Sequence, residues 1–289
     1  MTWTALEWKR FYAAERASLG ERGLDELCER ASALPLTAGG AIVFPHTKLA
    51  DSGVLVASAA LSVVCAGHSE VLALGVLHGP RAEDAGLVRR ARAGDSQARD
   101  VLRRVHGPGV AEDRGSWSAE FSLDNFEALL ETAARRKRKR CPRVIARYPF
   151  LTGDEPGSLP GLDELQRQLA RGCALVATTD PLHHGAGYGT PPDARQRRVA
   201  PQTLEFARAR VGEQFALLVR HEFAAFSKLA DAVHSDFRDA GPVLALLMHR
   251  PSAYCIHALE LVDYADALAA PQPTWVAAAL GVFQPANAA

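Results

Sequence analysis

Three short, almost uninterrupted apolar runs limit what this chain can fold into: Gly39 to His46, Glu70 to Gly79 and Cys173 to Thr179. Each is bounded by glycine, proline or polar residues and has the length of a strand buried on both faces. Helical patterns fall between them, over residues 4–19 and 22–34 on either side of Gly20 and Gly23, then over 52–64 and 159–171. Arg143 to Tyr148 is a weaker strand signal and Thr274 to Phe283 a last one. The stretch from Pro201 to Ala270 reads as helix-rich, with Phe223, Phe226, Leu229, Ala230 and Val233 at helical spacing. Apolar strands alternating with helices predict an α/β fold with a mainly parallel or mixed sheet covered on both faces.

Charge and cysteine content narrow the class. The 289 residues carry 33 basic and 33 acidic side chains, a net charge of zero that gives no general attraction for nucleic acid. The one basic run, Arg135 to Arg140, lacks interleaved aromatics and reads as the carboxyl end of a helix that starts near Ser122. Five cysteines, at 28, 65, 141, 173 and 255, are odd in number and contain no Cys-x-x-Cys pair, so a reducing, cytoplasmic setting is expected. The apolar stretch Gly53 to Gly67 is shorter than the ~20 residues of a membrane-crossing helix, and no membrane span is expected. Met1 to Arg16 mixes Glu7, Lys9, Arg10, Glu15 and Arg16 with apolar residues, as an amphipathic helix does.

Chemistry gathers where the apolar runs end. Ligands of open α/β sheets bind beyond the carboxyl ends of the strands. Here those ends deliver His46, His78 and the pair Asp180 and His183. Two neutral imidazoles suit a divalent metal, with a carboxylate or a thiolate such as Cys255 as third ligand. Asp180 and His183 read as a proton-transfer pair beside that metal, or, for Asp180 ahead of Pro181, as a turn cap. Tyr188 stands in a glycine-rich loop as a hydrogen-bond donor to substrate, and His257, near Cys255, is a candidate pocket acid or base.

These motifs resemble the Memo proteins and their relatives, the LigB-type (class III) extradiol dioxygenases. The first signature of that family looks like Pro45-His46 followed by Ser52-Gly53, and the second like Leu74-Gly75-Val76-Leu77-His78. A later one is similar to Thr178-Thr179-Asp180-Pro181-Leu182-His183-His184-Gly185, and a family cysteine corresponds to Cys255. The resemblance covers about residues 39 to 283 and implies a three-layer α/β/α domain spanning 1–289, with amino-terminal helices 1–38 packed on it. It implies a metal on His46, His78 and Cys255, with Asp180 and His183 as pocket residues. In the dioxygenase relatives a glutamate replaces the cysteine and the metal is Fe(II). Where the family has His-Ala-Gly-Tyr, this chain has His46-Thr47-Lys48-Leu49, which removes a glycine turn and an aromatic side chain from the pocket rim and makes Lys48 a candidate substrate contact. The mid-chain Glu-His-Ser looks like Glu120-Phe121-Ser122, which makes Phe121 an apolar wall.

The resulting expectation is a mononuclear non-haem iron enzyme that uses O2 to oxidise a small organic molecule, with aromatic compounds among the candidates. Fe(II) is the expected metal, and a His2Cys set would also admit copper. The competing reading is a non-catalytic iron- or copper-binding or interaction protein on the same pocket, and a third is metal-assisted hydrolysis.

Overall fold

The computed structural model describes residues 3–79, 82–110, 116–192, 199–248 and 251–285. Its centre is a parallel group of strands: β1 (Ala41–Phe44), β2 (Glu70–Leu74), β4 (Arg143–Phe150) and β5 (Ala174–Thr178). They lie side by side in the order β4-β2-β5-β1. Antiparallel strands extend both ends: β3 (Arg104–His106) on β4, and β8 (Thr274–Pro285) on β1. β8 is long enough to pair with β1 and then with β6 (Leu182–Gly185) along one edge, while β7 (Pro251–Asp263) covers its other edge.

The strands alternate between two cores. In β1, Ile42 and Phe44 face one helical layer while Ala41 and Val43 face the other. The first layer holds α1 (Ala5–Arg30), α2 (Leu49–Ala66) and α5 (Asp124–Arg136); the short α3 (Ala85–Arg92) and α4 (Ser96–Leu102) border it. The second holds α6 (Leu162–Ala170), α7 (Pro201–Val219), α8 (Phe223–Ala232) and α9 (Phe237–Leu247). A last short helix, α10 (Ala265–Leu268), precedes β8. The architecture is a three-layer α/β/α fold on a mixed sheet, as the runs of apolar residues require when both faces must be covered.

Several local features differ from the sequence pattern. The two amino-terminal helices form one element, α1, broken at Gly20, where φ 58° and ψ −172° interrupt the helix. Thr4 and Glu7 cap its start reciprocally. α2 is long and apolar enough by composition to cross a membrane, yet most of it is buried as the central helix of the first layer. The helix-rich reading of Pro201 to Ala270 is corrected by β7, a thirteen-residue strand. β7 is a sheet edge with much of its length exposed, so its polar residues hide the apolar signal. In the basic run, Arg135 and Arg136 reach Asp25 and Glu29 of α1, and Lys139 donates to the last carbonyls of α2. All five cysteines are free thiols.

Candidate metal centre

Adjacent strands place the candidate residues together. β5 lies between β2 and β1, and in register Phe44 stands beside Thr178 and Leu74 beside Ala177. His46 and Asp180 therefore follow their strands by two residues at the same level, and His78 follows by four. The His46 backbone N–H donates to Asp180 Oδ1 at 3.1 Å, joining the two strand ends. His183 is on β6, whose backbone is tied to the turn between α8 and α9 through His183 N–H to the Val233 carbonyl.

That turn supplies the residue on which the site converges. Asp236 occupies the N-cap position of α9, but its carboxylate makes no capping bond. It points instead to the histidines. The Nε2 atoms of His46, His78 and His183 lie 3.4, 3.5 and 3.5 Å from the same oxygen, Asp236 Oδ2. His46 Nε2 is 3.2 Å from His78 Nε2 and 3.5 Å from Asp180 Oδ2. The donor atoms of His46, His78 and Asp236 all fall within 4.8 Å of one another, as do those of Asp180, His183 and Asp236.

The other ring nitrogen of each histidine is fixed by an acceptor. Thr178 Oγ1 gives its own proton to the Phe44 carbonyl at 3.1 Å, so at 3.2 Å it accepts from His46 Nδ1. His78 Nδ1 donates to Glu120 Oε1 at 2.9 Å, and His183 Nδ1 to the His234 carbonyl at 2.6 Å. His234 holds that carbonyl in place from a left-handed conformation, φ 51°, of the kind found where function imposes local strain. With every Nδ1 held by an acceptor, the three Nε2 atoms face one point, as in histidine metal ligands held by outer partners.

The charge balance asks for a cation. Glu120, Asp180 and Asp236 surround three imidazoles in a largely buried space. Burial pulls the His78 pKa down, but the Glu120 and Asp236 carboxylates outweigh it and raise the pKa to about 10. Burial also opposes ionisation of Asp236, yet His183, His46 and His78 together hold its carboxyl well below the usual range. Asp180 is shifted upward, chiefly by burial. A divalent ion would supply this positive charge without protons.

Glu120 is the main support of this cluster. Its side chain is fully buried; Oε1 accepts from His78 Nδ1, Phe121 N and Ser122 N, and Oε2 accepts from the His78 backbone N–H at 2.6 Å. Both oxygens accept, so an amide in its place must turn one NH2 toward a donor. Glu120→Gln is expected to lower metal affinity about 10- to 100-fold in a Zn(II) or Fe(II) titration; unchanged affinity would separate Glu120 from the site.

A cavity of about 250 Å³ opens over the cluster. Phe121 stacks on the His78 ring with centroids 4.4 Å apart, and Tyr188 meets His183 edge-on at 4.6 Å. Both line the cavity, together with Trp3, Trp8 and Tyr12 from the amino-terminal segment and Tyr264 beyond β7. Burial, then the nearby Asp180 charge or a neighbouring tyrosine, raises the Tyr12, Tyr188 and Tyr264 pKa values well above normal, so these hydroxyls stay protonated. Lys48 stands behind this wall: its ammonium is 2.8 Å from Asp51 and 5.2 Å from the Tyr264 ring centroid.

Three expected residues do not line the cavity: Lys48, Cys255 and His257. Cys255 is exposed on β7, in a shallow depression with Arg208, Gly212 and Tyr254. Its register partner Val282 pairs in turn with Ile42, four residues before His46. The thiol thus sits two strands away and roughly 13 Å short of the histidines at ~3.3 Å per residue. His257 is likewise exposed on β7, at an irregularity in the pairing between Ile256 and Ala258. The carboxylate of Asp236 stands where a third ligand is needed, and its sequence signal was that of an ordinary helix cap. No protein-family model matches the chain, and no curated protein matches it in sequence.

Proposed function

We propose that this chain is a mononuclear non-haem iron oxygenase that uses O2 to oxidise a small aromatic molecule. The observation that carries the reading is the convergence of His46, His78 and Asp236, a two-histidine, one-carboxylate set, at the floor of an aromatic cavity. Fe(II) held by these residues would supply one-electron chemistry with O2, which does not react readily with closed-shell organic molecules unaided. A carboxylate as third ligand matches the dioxygenase branch of the Memo and LigB-type resemblance better than its thiolate branch. Copper loses its basis, because the His2Cys set that suggested it does not assemble around Cys255.

The chain's own groups then have distinct roles. His183, with its Nδ1 proton fixed on the His234 carbonyl, presents Nε2 as the acceptor for a substrate hydroxyl proton. Asp180 holds the His46 backbone N–H and places a second carboxylate beside the histidine cluster. Phe121 and Tyr188 flank the two histidines with rings and confine a planar substrate between them. A reducing, cytoplasmic setting suits Fe(II) and five free thiols.

One observation favours the non-catalytic reading: His183 Nε2 is as close to Asp236 Oδ2 as His78 Nε2 is, so it is placed to act as a further ligand and close the site. The test is anaerobic addition of Fe(II), expected to bind at about one equivalent per chain. Oxygen uptake should follow on adding catechols, phenols or aromatic amines. Nitric oxide should give the high-spin iron–nitrosyl electron paramagnetic resonance signal of an accessible ferrous site. Iron bound with neither uptake nor nitrosyl signal would establish a closed, sequestering centre instead.

A further inference from the structure

The wall opposite the metal ligands contains an unusual pair. Tyr12 Oη and Tyr264 Oη lie 2.7 Å apart, and the Lys48 backbone N–H donates to Tyr264 Oη at 3.0 Å. Both side chains are buried and both line the cavity. Two phenols hold two protons, and one of these makes the bond between them. Lys48 N–H is itself a donor and cannot accept the second. Among the described residues neither hydroxyl has another partner, so one O–H proton is left over whichever phenol donates. If Tyr12 donated, Tyr264 Oη would accept twice, from Tyr12 and from Lys48 N–H, and the leftover proton would fall on the more buried ring, 1% exposed against 4% for Tyr12. If Tyr264 donates, Lys48 N–H and Tyr12 complete its bonding, and the remaining proton is on Tyr12.

The surrounding charge adds a second constraint. The described residues lining the cavity include Asp180 and Asp236 but no lysine or arginine. The ammonium groups of Lys9 and Lys48 are engaged elsewhere: Lys9 Nζ donates to the carbonyls of Ser118 and Glu120, and Lys48 Nζ pairs with Asp51. With the histidines committed to the metal and their outer acceptors, a carboxylate on the substrate would therefore be desolvated beside two acidic side chains with no lysine or arginine to receive it. An uncharged oxygen, by contrast, can accept the leftover tyrosine proton.

We propose that Tyr12, oriented by Tyr264 and the Lys48 amide, is the specificity-determining hydrogen-bond donor of the pocket, which selects an uncharged oxygen-bearing aromatic ring over its carboxylated analogue. This rests on the oxygenase reading for the location of the substrate, but it concerns binding and not turnover. Trp3 and Trp8 line the same cavity, with ring centroids 4.5 Å apart, and provide a fluorescence signal for occupancy.

The experiment uses the Zn(II)-loaded full chain, in which redox chemistry is silent, and measures tryptophan quenching by catechol, by 3,4-dihydroxybenzoate and by toluene. Catechol should bind at least about tenfold more tightly than 3,4-dihydroxybenzoate. Tyr12→Phe should weaken catechol about tenfold, leaving toluene affinity and Zn(II) content unchanged. Tyr264→Phe, which removes the orienting partner but not the donor, should weaken catechol by a smaller factor. Equal affinity for the carboxylated ring, an unaltered catechol affinity in Tyr12→Phe, or no quenching by catechol overturns the proposal. Failure of oxygen uptake with catechol selectivity intact would instead remove the oxygenase reading alone.

Discussion

Asp236→Ala is expected to lower Fe(II) affinity by more than about 100-fold, as are His46→Ala and His78→Ala, while Cys255→Ser binds metal like the parent protein. The size follows from position: Asp236 Oδ2 lies within 3.5 Å of three imidazole nitrogens, and removing it leaves those nitrogens without that shared anion. The variant should remain folded, because the Asp236 carboxylate makes no capping bond to α9 and its loss forfeits none. Circular dichroism and a thermal melt of the metal-free variant check this separately from metal content. The opposite pattern, with metal lost in Cys255→Ser and retained in Asp236→Ala, would return the third ligand to the thiol and reopen the copper assignment. The four variants therefore test the carboxylate site against the expectation drawn from sequence alone.

Why that expectation found four of the five clustered donor residues and missed Asp236 is a matter of where each residue sits. His46, His78 and Asp180 were legible because each ends an apolar run, and a run buried on both faces fixes both the strand and the end at which its loop emerges. His183 followed from its spacing to Asp180. Asp236 sits at a helix start, where aspartate is common for reasons of capping, and only the direction of its carboxylate distinguishes it. Glu120 appeared as part of a motif, but its role depends on two oxygens meeting four N–H groups, which no spacing reveals. Tyr12 and Trp8 read as the apolar face of an amphipathic helix; packing α1 beside α2 and α5 turns that face into a cavity wall. Cys255 failed for the reciprocal reason. A thiol at plausible sequence distance lies on a strand whose register sets it level with the start of β1 and not its end. The layers were legible in the same way, except for β7, where an exposed edge dilutes the apolar pattern.

Gly185→Ala should produce a large loss of stability, and Gly189→Ala, a nearby glycine with positive φ and open space, a much smaller one. Both glycines have positive φ, 108° and 76°, so both substitutions incur backbone strain. At Gly189 a methyl group would meet nothing within 4 Å. At Gly185 it would stand 1.9 Å from the Pro273 carbonyl oxygen and 2.6 Å from Thr274 Cα, backbone atoms that cannot turn aside. Gly185 is also the β6 residue paired with Thr274, two positions after His183 and three before Tyr188. To admit the methyl, β6 must move off the start of β8. We expect Gly189→Ala, in the left-handed region at φ 76°, ψ 11°, to cost about 1 kcal/mol, and Gly185→Ala about 3 kcal/mol or more, the difference reflecting the clash together with the φ 108°, ψ −175° backbone that only glycine adopts readily. At ~2 °C per kcal/mol for a chain of this size, the melting temperatures should fall by roughly 2 °C and 6 °C. Because β6 carries His183, the Gly185 variant should also bind Fe(II) less tightly, whereas the Gly189 variant should bind it normally. Equal melting temperatures in the two variants would mean that the β6–β8 contact yields without resistance, and that His183 is not held in place by the sheet.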